Sequence, residues 1–324
     1  MEAFVTGGTG MLGNNLVREL LAQGWSVRAL ARSQDKARRV LGDRPEVRWV
    51  TGDLDDRAPW RSALQGVDVV FHTAAVFREY DGTDPGAWTA LSRTNVEGTL
   101  GLATDAADAG VRRFVDTSTG GIVGGDVQDP VPPIATENLY FRSKLETLQR
   151  LHALGEQRGL EVTSIHPGWM FGPYDAAPTA AGRLITDFVA GGLPLCPAGG
   201  TTIADARDVA RGMVAAATHG GHGSRWVLGG HYAELVELVR VLAEVTGARG
   251  PLLSLGDGTS LALARGSELL GRVTGRPPLV TVMAMKTMQA RHHLDSARAV
   301  RELGVTFRPL AETLRDTAAW LRKA

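Results

Sequence analysis

Cysteine occurs once in the 324 residues, at Cys196, and tyrosine and lysine four times each. A single cysteine excludes an intramolecular disulfide and any cysteine-cluster metal site. Its simplest role is that of a small core residue. His292 and His293 are adjacent but lack a frame of Asp or Glu, so no metal is expected. Charge of one sign is missing too: 35 basic residues face 35 acidic ones. That balance gives no reason to expect nucleic acid or an anionic membrane as partner. No apolar run reaches the roughly 18 residues of a membrane helix. The start, MEAFVTGG, runs into a strand pattern with no basic-then-apolar leader, so no signal peptide and a cytoplasmic setting are expected. Lysine is confined to Lys36, Lys144, Lys286 and Lys323, which leaves 35 − 4 = 31 arginines. Arginine in that excess, with 40 glycines, suggests a GC-rich bacterial genome.

What is present is a filled core and a regular alternation. Apolar residues make up 44% of the chain, enough for one large α/β domain plus a smaller part. Strand patterns fall at 3–8, 26–31, 47–53, 67–75, 112–119 and 160–168. Helix patterns fall at 12–23, 88–109 and 138–158. Strands alternating with helices predict a doubly wound parallel sheet, a Rossmann fold covered on both faces. After Pro167 the pattern loosens, and residues 169–204 carry Pro and Gly turns and one helix. A helix from about Asp205 leads into a return strand at 225–230, and the tail is mostly helical, with Gly-Pro breaks near 250 and 275. The expected division is a nucleotide-binding domain over 1–168, with chain returning at about 205–230. A smaller, mostly helical substrate-binding part would take 169–204 and 231–324.

TGGTGMLG, residues 6–13, lies between the first strand and the first helix. Gly7, Gly10 and Gly13 allow a tight turn and close approach to a pyrophosphate seated on the helix N-terminus, beside Thr6, Met11 and Leu12. The end of the second strand bears on which dinucleotide. An NAD site usually places an acid there for the ribose 2′-hydroxyl. This chain reads Leu30-Ala31-Arg32-Ser33, with no acid before Asp35. Arg32 can meet a 2′-phosphate with a charge-assisted fork, helped by Ser33, Lys36 and Arg38, so NADP(H) is expected over NAD(H). Asp53 is placed to accept from the adenine amino group, with Leu54 packed nearby. Thr73, Ala74 and Ala75 would run beside the cofactor, as would Thr117, Pro167 and Gly168 at the ends of strands five and six.

Tyr140 and Lys144 stand four apart on one helix face. In a chain that uses arginine almost everywhere, lysine here points to a compact ammonium that can bond ribose hydroxyls and bring positive charge under a phenol. Moving a tyrosine from about 10 towards neutrality needs roughly 4 kcal/mol of phenolate stabilisation. Lys144 and an oxidised nicotinamide would be its sources. A hydroxyl at the end of strand five, in Thr117-Ser118-Thr119, would hydrogen-bond a substrate carbonyl.

These residues carry a resemblance. TGGTGMLG, GDL (52–54), HTAA (72–75), NVEGT (95–99), YFRSK (140–144), HPGWMFGP (166–173), DARDVA (205–210) and the ending at 294–322 stand in the order of the extended short-chain dehydrogenase/reductases. The chain resembles the branch holding dihydroflavonol reductases, bacterial aldehyde/ketone reductases and NAD-dependent epimerase/dehydratases, over essentially its whole length. The resemblance implies that Tyr140 is the general acid/base and that Lys144 holds the nicotinamide ribose and tunes Tyr140. It places the hydroxyl five residues before a glycine, which selects Thr119 ahead of Gly124, with Ser118 as runner-up. Asn95 would support the site structurally or through a water. His72 and His166 are read as packing residues, and Asp205 and Asp208 as capping and turn residues. A homodimer is compatible with the resemblance, and so is a monomer.

Two reactions fit such a chain: net reduction of a carbonyl by NADPH, or in-place oxidation and re-reduction of a sugar nucleotide. An NADP site favours net reduction. The end of strand six offers His166 and Pro167, where sugar-nucleotide epimerases tend to carry asparagine. The expected pocket is apolar: Phe77 and Tyr80, beside Arg78 and Glu79, then Trp169, Met170, Phe171 and Tyr174, with Gly120, Gly121 and Ile122 as a wall. Such a lining suits an aromatic or alkyl carbonyl compound. The competing reading makes several of these aromatics core. A non-catalytic NADP(H) sensor is a third reading, one that retention of both Tyr140 and Lys144 opposes.

Overall fold

The computed structural model describes residues 1–42, 44–77, 86–191, 193–275 and 278–323. The first half winds β1 (Glu2–Thr6), α1 (Met11–Ala22), β2 (Ser26–Ala31), α2 (Gln34–Leu41), β3 (Val47–Thr51), α3 (Ala58–Arg61) and β4 (Val69–His72). It continues with α4 (Ala87–Leu91), a π segment (Ser92–Gly98), α5 (Thr99–Asp108), β5 (Arg113–Thr117), α6 (Ile134–Glu137), α7 (Leu139–Arg158) and β6 (Glu161–Pro167). Seven parallel strands form the main sheet in the order β10-β6-β5-β4-β1-β2-β3, where β10 is Ser224–Leu228. The fold is the doubly wound one that the alternation predicts.

Both faces of this sheet are covered, which is why its strands read as unbroken apolar runs. Ala3 and Val5 of β1 pack on one face with Leu12, Leu16 and Val17 of α1. Phe4, between them, packs on the other face with Trp60, Leu102 and Leu151. Strand order reverses between β1 and β4, and the crevice outside the carboxyl ends there is where such sheets bind ligands. The expected strands overran those ends. Residues 7–8, 73–75 and 118–119 are loop, because the chain leaves the sheet there to line the crevice.

The remaining elements are β7 (Trp169–Phe171), α8 (Ala180–Val189), β8 (Leu195–Cys196), β9 (Gly200–Asp205), α9 (Ala206–His219), β11 (His231–Glu234), α10 (Leu235–Thr246) and β12 (Leu253–Ser254). Helices α11 (Asp257–Thr274), α12 (Val282–Gln289), α13 (Ala297–Leu303) and α14 (Leu310–Leu321) complete the chain. Two small sheets, β11-β9-β7 and β12-β8, were not anticipated from the sequence, nor was α2. A further core gathers Phe171, Ile185, Phe188, Leu238, Leu242 and Leu314. No helix among the described residues is long and apolar enough to cross a membrane.

Candidate active site

The loop after β1 is built for close approach. Gly7 has φ +73°, which favours glycine. A Cβ at Gly13 would stand 2.2 Å from the Gly7 carbonyl oxygen, and one at Gly7 would stand 2.7 Å from the Ala74 nitrogen. Only bare backbone fits in this turn. Gly10, the residue before α1, offers no side-chain cap, so the first-turn N–H groups of Met11, Leu12 and Gly13 are left for another acceptor. A pyrophosphate fits that cradle.

At the end of β2, Arg32 is exposed and makes no ion pair with a described residue. Ser33 caps α2 by accepting from the Lys36 N–H. Asp53 accepts from the Asp55 N–H with its side chain, its own carbonyl accepts from Trp60, and Leu54 is buried. Lys36 turns to a groove of about 630 Å³ that it shares with Arg39, Val40, Tyr174, Trp320 and Lys323.

The loop after β4 is tied down by a chain of hydrogen bonds. The Ala74 N–H and the His72 ring both meet the Thr6 hydroxyl, and the second ring nitrogen of His72 meets the Thr99 hydroxyl at 2.9 Å. The Thr99 hydroxyl spends its hydrogen on the Asn95 carbonyl. The tautomer follows: Nε2 of His72 donates to Thr99, and Nδ1 accepts from Thr6. Burial, with the Lys144 charge as a lesser cause, holds His72 down to about 3, so it is neutral packing, as the sequence suggests. Asn95 sits in the π segment, an irregularity inside what the sequence reads as one helix. Its side chain grips both the N–H and the carbonyl of Val76 and donates to Ser143 on α7. It clamps a loop rather than facing the crevice as a reactive group.

Asn138 caps α7 by accepting from the Phe141 N–H, which sets the phase of the helix. Tyr140 is half-buried and meets the Phe77 ring edge-on at 4.9 Å. Lys144 is buried, and its ammonium donates to the Thr117 carbonyl at 2.7 Å. Thr119 follows β5, and its hydroxyl oxygen accepts from the Gly121 N–H. Its hydroxyl hydrogen therefore remains available to an outside acceptor. Ser118 is buried with no partner for its hydroxyl. Nδ1 of His166 donates to the Thr119 carbonyl at 3.1 Å while Nε2 accepts from Arg225; the ring is held down to about 3 mainly by burial and props the loop. Burial first, and the Asp116 carboxylate second, push the Tyr140 phenol up from its ordinary value. This is opposite in sign to the downward tuning expected from Lys144. The protein's own groups hold Tyr140 as a neutral acid.

Several expected pocket residues lie elsewhere. Phe171 is wholly buried in the core of the smaller part, with Trp169 packed edge-on against it at 4.8 Å. Met170 points the other way, into the core that α1 covers. Tyr174 lies against Arg18 of α1 and Trp320 of α14. Ile122 is fully buried among Val123, Val127, Ala135 and Leu148. Trp169, Met170 and Phe171 pack into core because β7 alternates its side chains between two packed faces, while Tyr174, beyond β7, lines the groove beside Lys36. Gly120 and Gly121 hold tight contacts: a Cβ there would strike Leu294 and Phe141 respectively. Gly168 is equally tight, with the Gly229 and Thr202 carbonyls at 2.4 and 2.5 Å from such an atom, and Pro167 ends β6 beside Leu228. Phe77 is the expected pocket aromatic that stands at Tyr140. Arg78, Glu79 and Tyr80 lie outside the described residues. Asp205 caps α9, and Asp208 pairs with Arg308 and Arg211, so neither is free for acid chemistry. The sequence reading gave no role to Asp116, Ser143 or Leu294. An acid alternating with Phe114 on β5 was a legible signal; the contacts of Ser143 and Leu294 were not.

Residues 3–229 match the family model described as the NAD dependent epimerase/dehydratase family. The chain belongs to that family. It is an oxidoreductase fold of the extended short-chain dehydrogenase/reductase type, dependent on a nicotinamide cofactor. It is 34% identical to the "Sterol demethylase protein B" of Methylococcus capsulatus, covering 100% of this chain and 99% of that one. It is 31% identical to a "4-hydroxy-2-methyl-3-oxo-4-farnesyl-3,4-dihydroquinoline-1-oxide ketoreductase" of Stigmatella aurantiaca, covering 95% and 92%. The solved structure of gox2253 superposes with a TM-score of 0.84 at 29% identity, covering 99% of this chain and 98% of the other.

Proposed function

We propose that the protein reduces a ketone or aldehyde to an alcohol with NADPH, acting on an aromatic or otherwise hydrophobic compound. The observation that carries this reading is the crevice itself. Lys144 of α7 binds the Thr117 carbonyl at the end of β5, Thr119 follows in the next loop, Tyr140 lies one turn before Lys144 against Phe77, and the glycine turn after β1 is tight at Gly7 and Gly13. The exposed Arg32, with no acid at the end of β2, supports the 2′-phosphate of NADP(H) over a free 2′-hydroxyl. NADPH, when bound, supplies the hydride. Thr119 donates its free hydroxyl hydrogen to the carbonyl oxygen and fixes its direction. Tyr140 gives its phenolic proton to the same oxygen as the carbon takes the hydride, so one carbonyl becomes one alcohol. Lys144 would hold the ribose of the bound cofactor with the donors it does not spend on Thr117, and would bring positive charge towards the phenol.

Phe77, half-exposed and edge-on to Tyr140, gives an apolar approach to the reacting oxygen. The Stigmatella ketoreductase, whose named compound carries a farnesyl chain, supports a hydrophobic carbonyl compound. The family also contains epimerases, whose cycle would leave no net oxidation of NADPH. Tyr140→Phe tests the chemistry: carbonyl reduction should fall by roughly 10²–10⁴-fold while NADPH affinity, read by tryptophan fluorescence, stays within about threefold. Full activity in that variant would remove Tyr140 from the mechanism.

A further inference from the structure

Five aspartates among the described residues are buried: Asp105, Asp116, Asp175, Asp205 and Asp208. Four are satisfied. Asp105 takes a fork from Arg57, Asp175 accepts from Thr179, Asp205 binds Arg207, and Asp208 binds Arg308. Asp116 is the exception: 1% exposed, with both carboxylate oxygens unpartnered. A buried acid without hydrogen bonds is costly, so its presence asks for a reason.

Its place on β5 supplies one. Asp116 alternates with Phe114, so it points to the face that α5 and α7 cover. It pairs in register with His72 on β4 and with Ser164 on β6. From α7, Lys144 acts on Asp116 by charge, Asp116 acts in turn on Tyr140, and the Lys144 ammonium binds the carbonyl of the very next residue, Thr117. From β4 the neighbour is His72, held neutral between Thr6 and Thr99. From β6 it is Ser164, which is bonded to His152 of α7, a histidine that burial holds down to about 4. The π segment and α5 bring only Asn95 and Thr99, both neutral. No other acid among these groups faces Lys144.

We propose that Asp116 is a positioning residue for the reaction: the buried counter-charge that keeps Lys144 an ammonium and Tyr140 a protonated phenol. It touches no substrate. It acts because, among the described residues, Asp116 is the acid whose charge bears on Lys144, and a buried ammonium without such a charge tends to lose its proton. Burial is the larger cause at both groups, lowering Lys144 and raising Asp116, and the charge of each reduces the shift of the other. The Asp116 charge also raises Tyr140. Removing it therefore moves both α7 groups the same way, towards losing their protons at lower pH.

The inference rests on the reductase reading above, and its test has two arms. In the first, kcat/KM for carbonyl reduction and the affinity for NADPH are each followed from neutral to alkaline pH in the wild type, Asp116→Asn and Asp116→Glu. The alkaline limb of both should move down by about one pH unit or more in Asp116→Asn and return towards the wild type in Asp116→Glu. A uniform loss at every pH, with limbs unmoved, would show Asp116 to be structural and overturn the proposal. NADPH binding without turnover in the wild type would sink the reductase reading alone, since the binding limb still reads Lys144. The second arm needs no activity: thermal unfolding of Lys144→Met, Asp116→Asn and the double variant at neutral pH. The double variant should melt no lower than Lys144→Met, because losing the ammonium strands the carboxylate. Strictly additive losses would contradict the pairing.

Discussion

Three polar groups of the crevice, and Arg32 exposed at the end of β2, each keep at least one function free. Thr119 has a lone pair taken by Gly121 and a hydrogen to give. Lys144 spends one donor on Thr117 and keeps two. Tyr140 keeps its phenol protonated. Arg32 is free to meet an anion. Two outcomes follow at this scale. Arg32→Ala should weaken NADPH binding by roughly 10-fold or more, the loss of a charge-assisted pair, and leave NADH binding within about twofold, read as Kd by fluorescence titration. Equal weakening of both would remove Arg32 from 2′-phosphate recognition. His72, His152 and His166 are held well below their usual value, to about 3, 4 and 3. Folding with neutral histidines favours the folded state above the unfolded value of about 6.5, and that advantage is lost as pH falls towards the folded values. The melting temperature should therefore drop as pH falls from about 6.5 to 4. In His72→Asn that drop should be shallower; an unchanged slope would mean that His72 does not titrate on unfolding.

At the scale of elements, the site depends on irregularities that pattern reading smooths over. The chemistry-bearing spacing of Tyr140 and Lys144 was legible because a helix puts four-apart residues on one face. The glycine loop was legible because its spacing is a steric demand of the turn. The pocket was not. Trp169, Met170 and Phe171 looked like a lining, yet a strand sends alternate residues to opposite faces, and both faces of β7 meet core. Nor was the π segment legible, since its sequence keeps helical composition while its hydrogen bonding shifts by one residue. There the Asn95 carbonyl receives hydroxyls from Thr99 and Thr147. Its side chain fixes Val76, one residue before Phe77. Asn95→Ala should free that loop and raise KM for the carbonyl compound several-fold, with kcat less affected. A fall in kcat alone would instead place Asn95 in the proton path.

For the whole molecule, the alternation of strands and helices gave the architecture because covering both faces of a parallel sheet leaves few other arrangements. The return strand expected at 225–230 is β10, residues 224–228, and it covers the edge of β6. What the alternation hid was the brace from the far end of the chain. Leu294 then returns beside Gly120 and Gly229, and the N–H of Asp295 donates to the Gly125 carbonyl. The loop that carries Thr119 is thus braced by chain from the far end of the sequence. A chain cut after about residue 200 should expose the β6 edge and appear in the insoluble fraction. Recovery of a soluble, NADPH-binding fragment would show the first part to be self-sufficient. The most direct test of the account mixes the purified protein with NADPH, and separately with NADH, and follows nicotinamide absorbance across aryl ketones, aldehydes and diketones. Compound-dependent oxidation that favours NADPH is the predicted result. No oxidation with any of them, together with NAD carried tightly through purification and turnover of a sugar nucleotide, would contradict it.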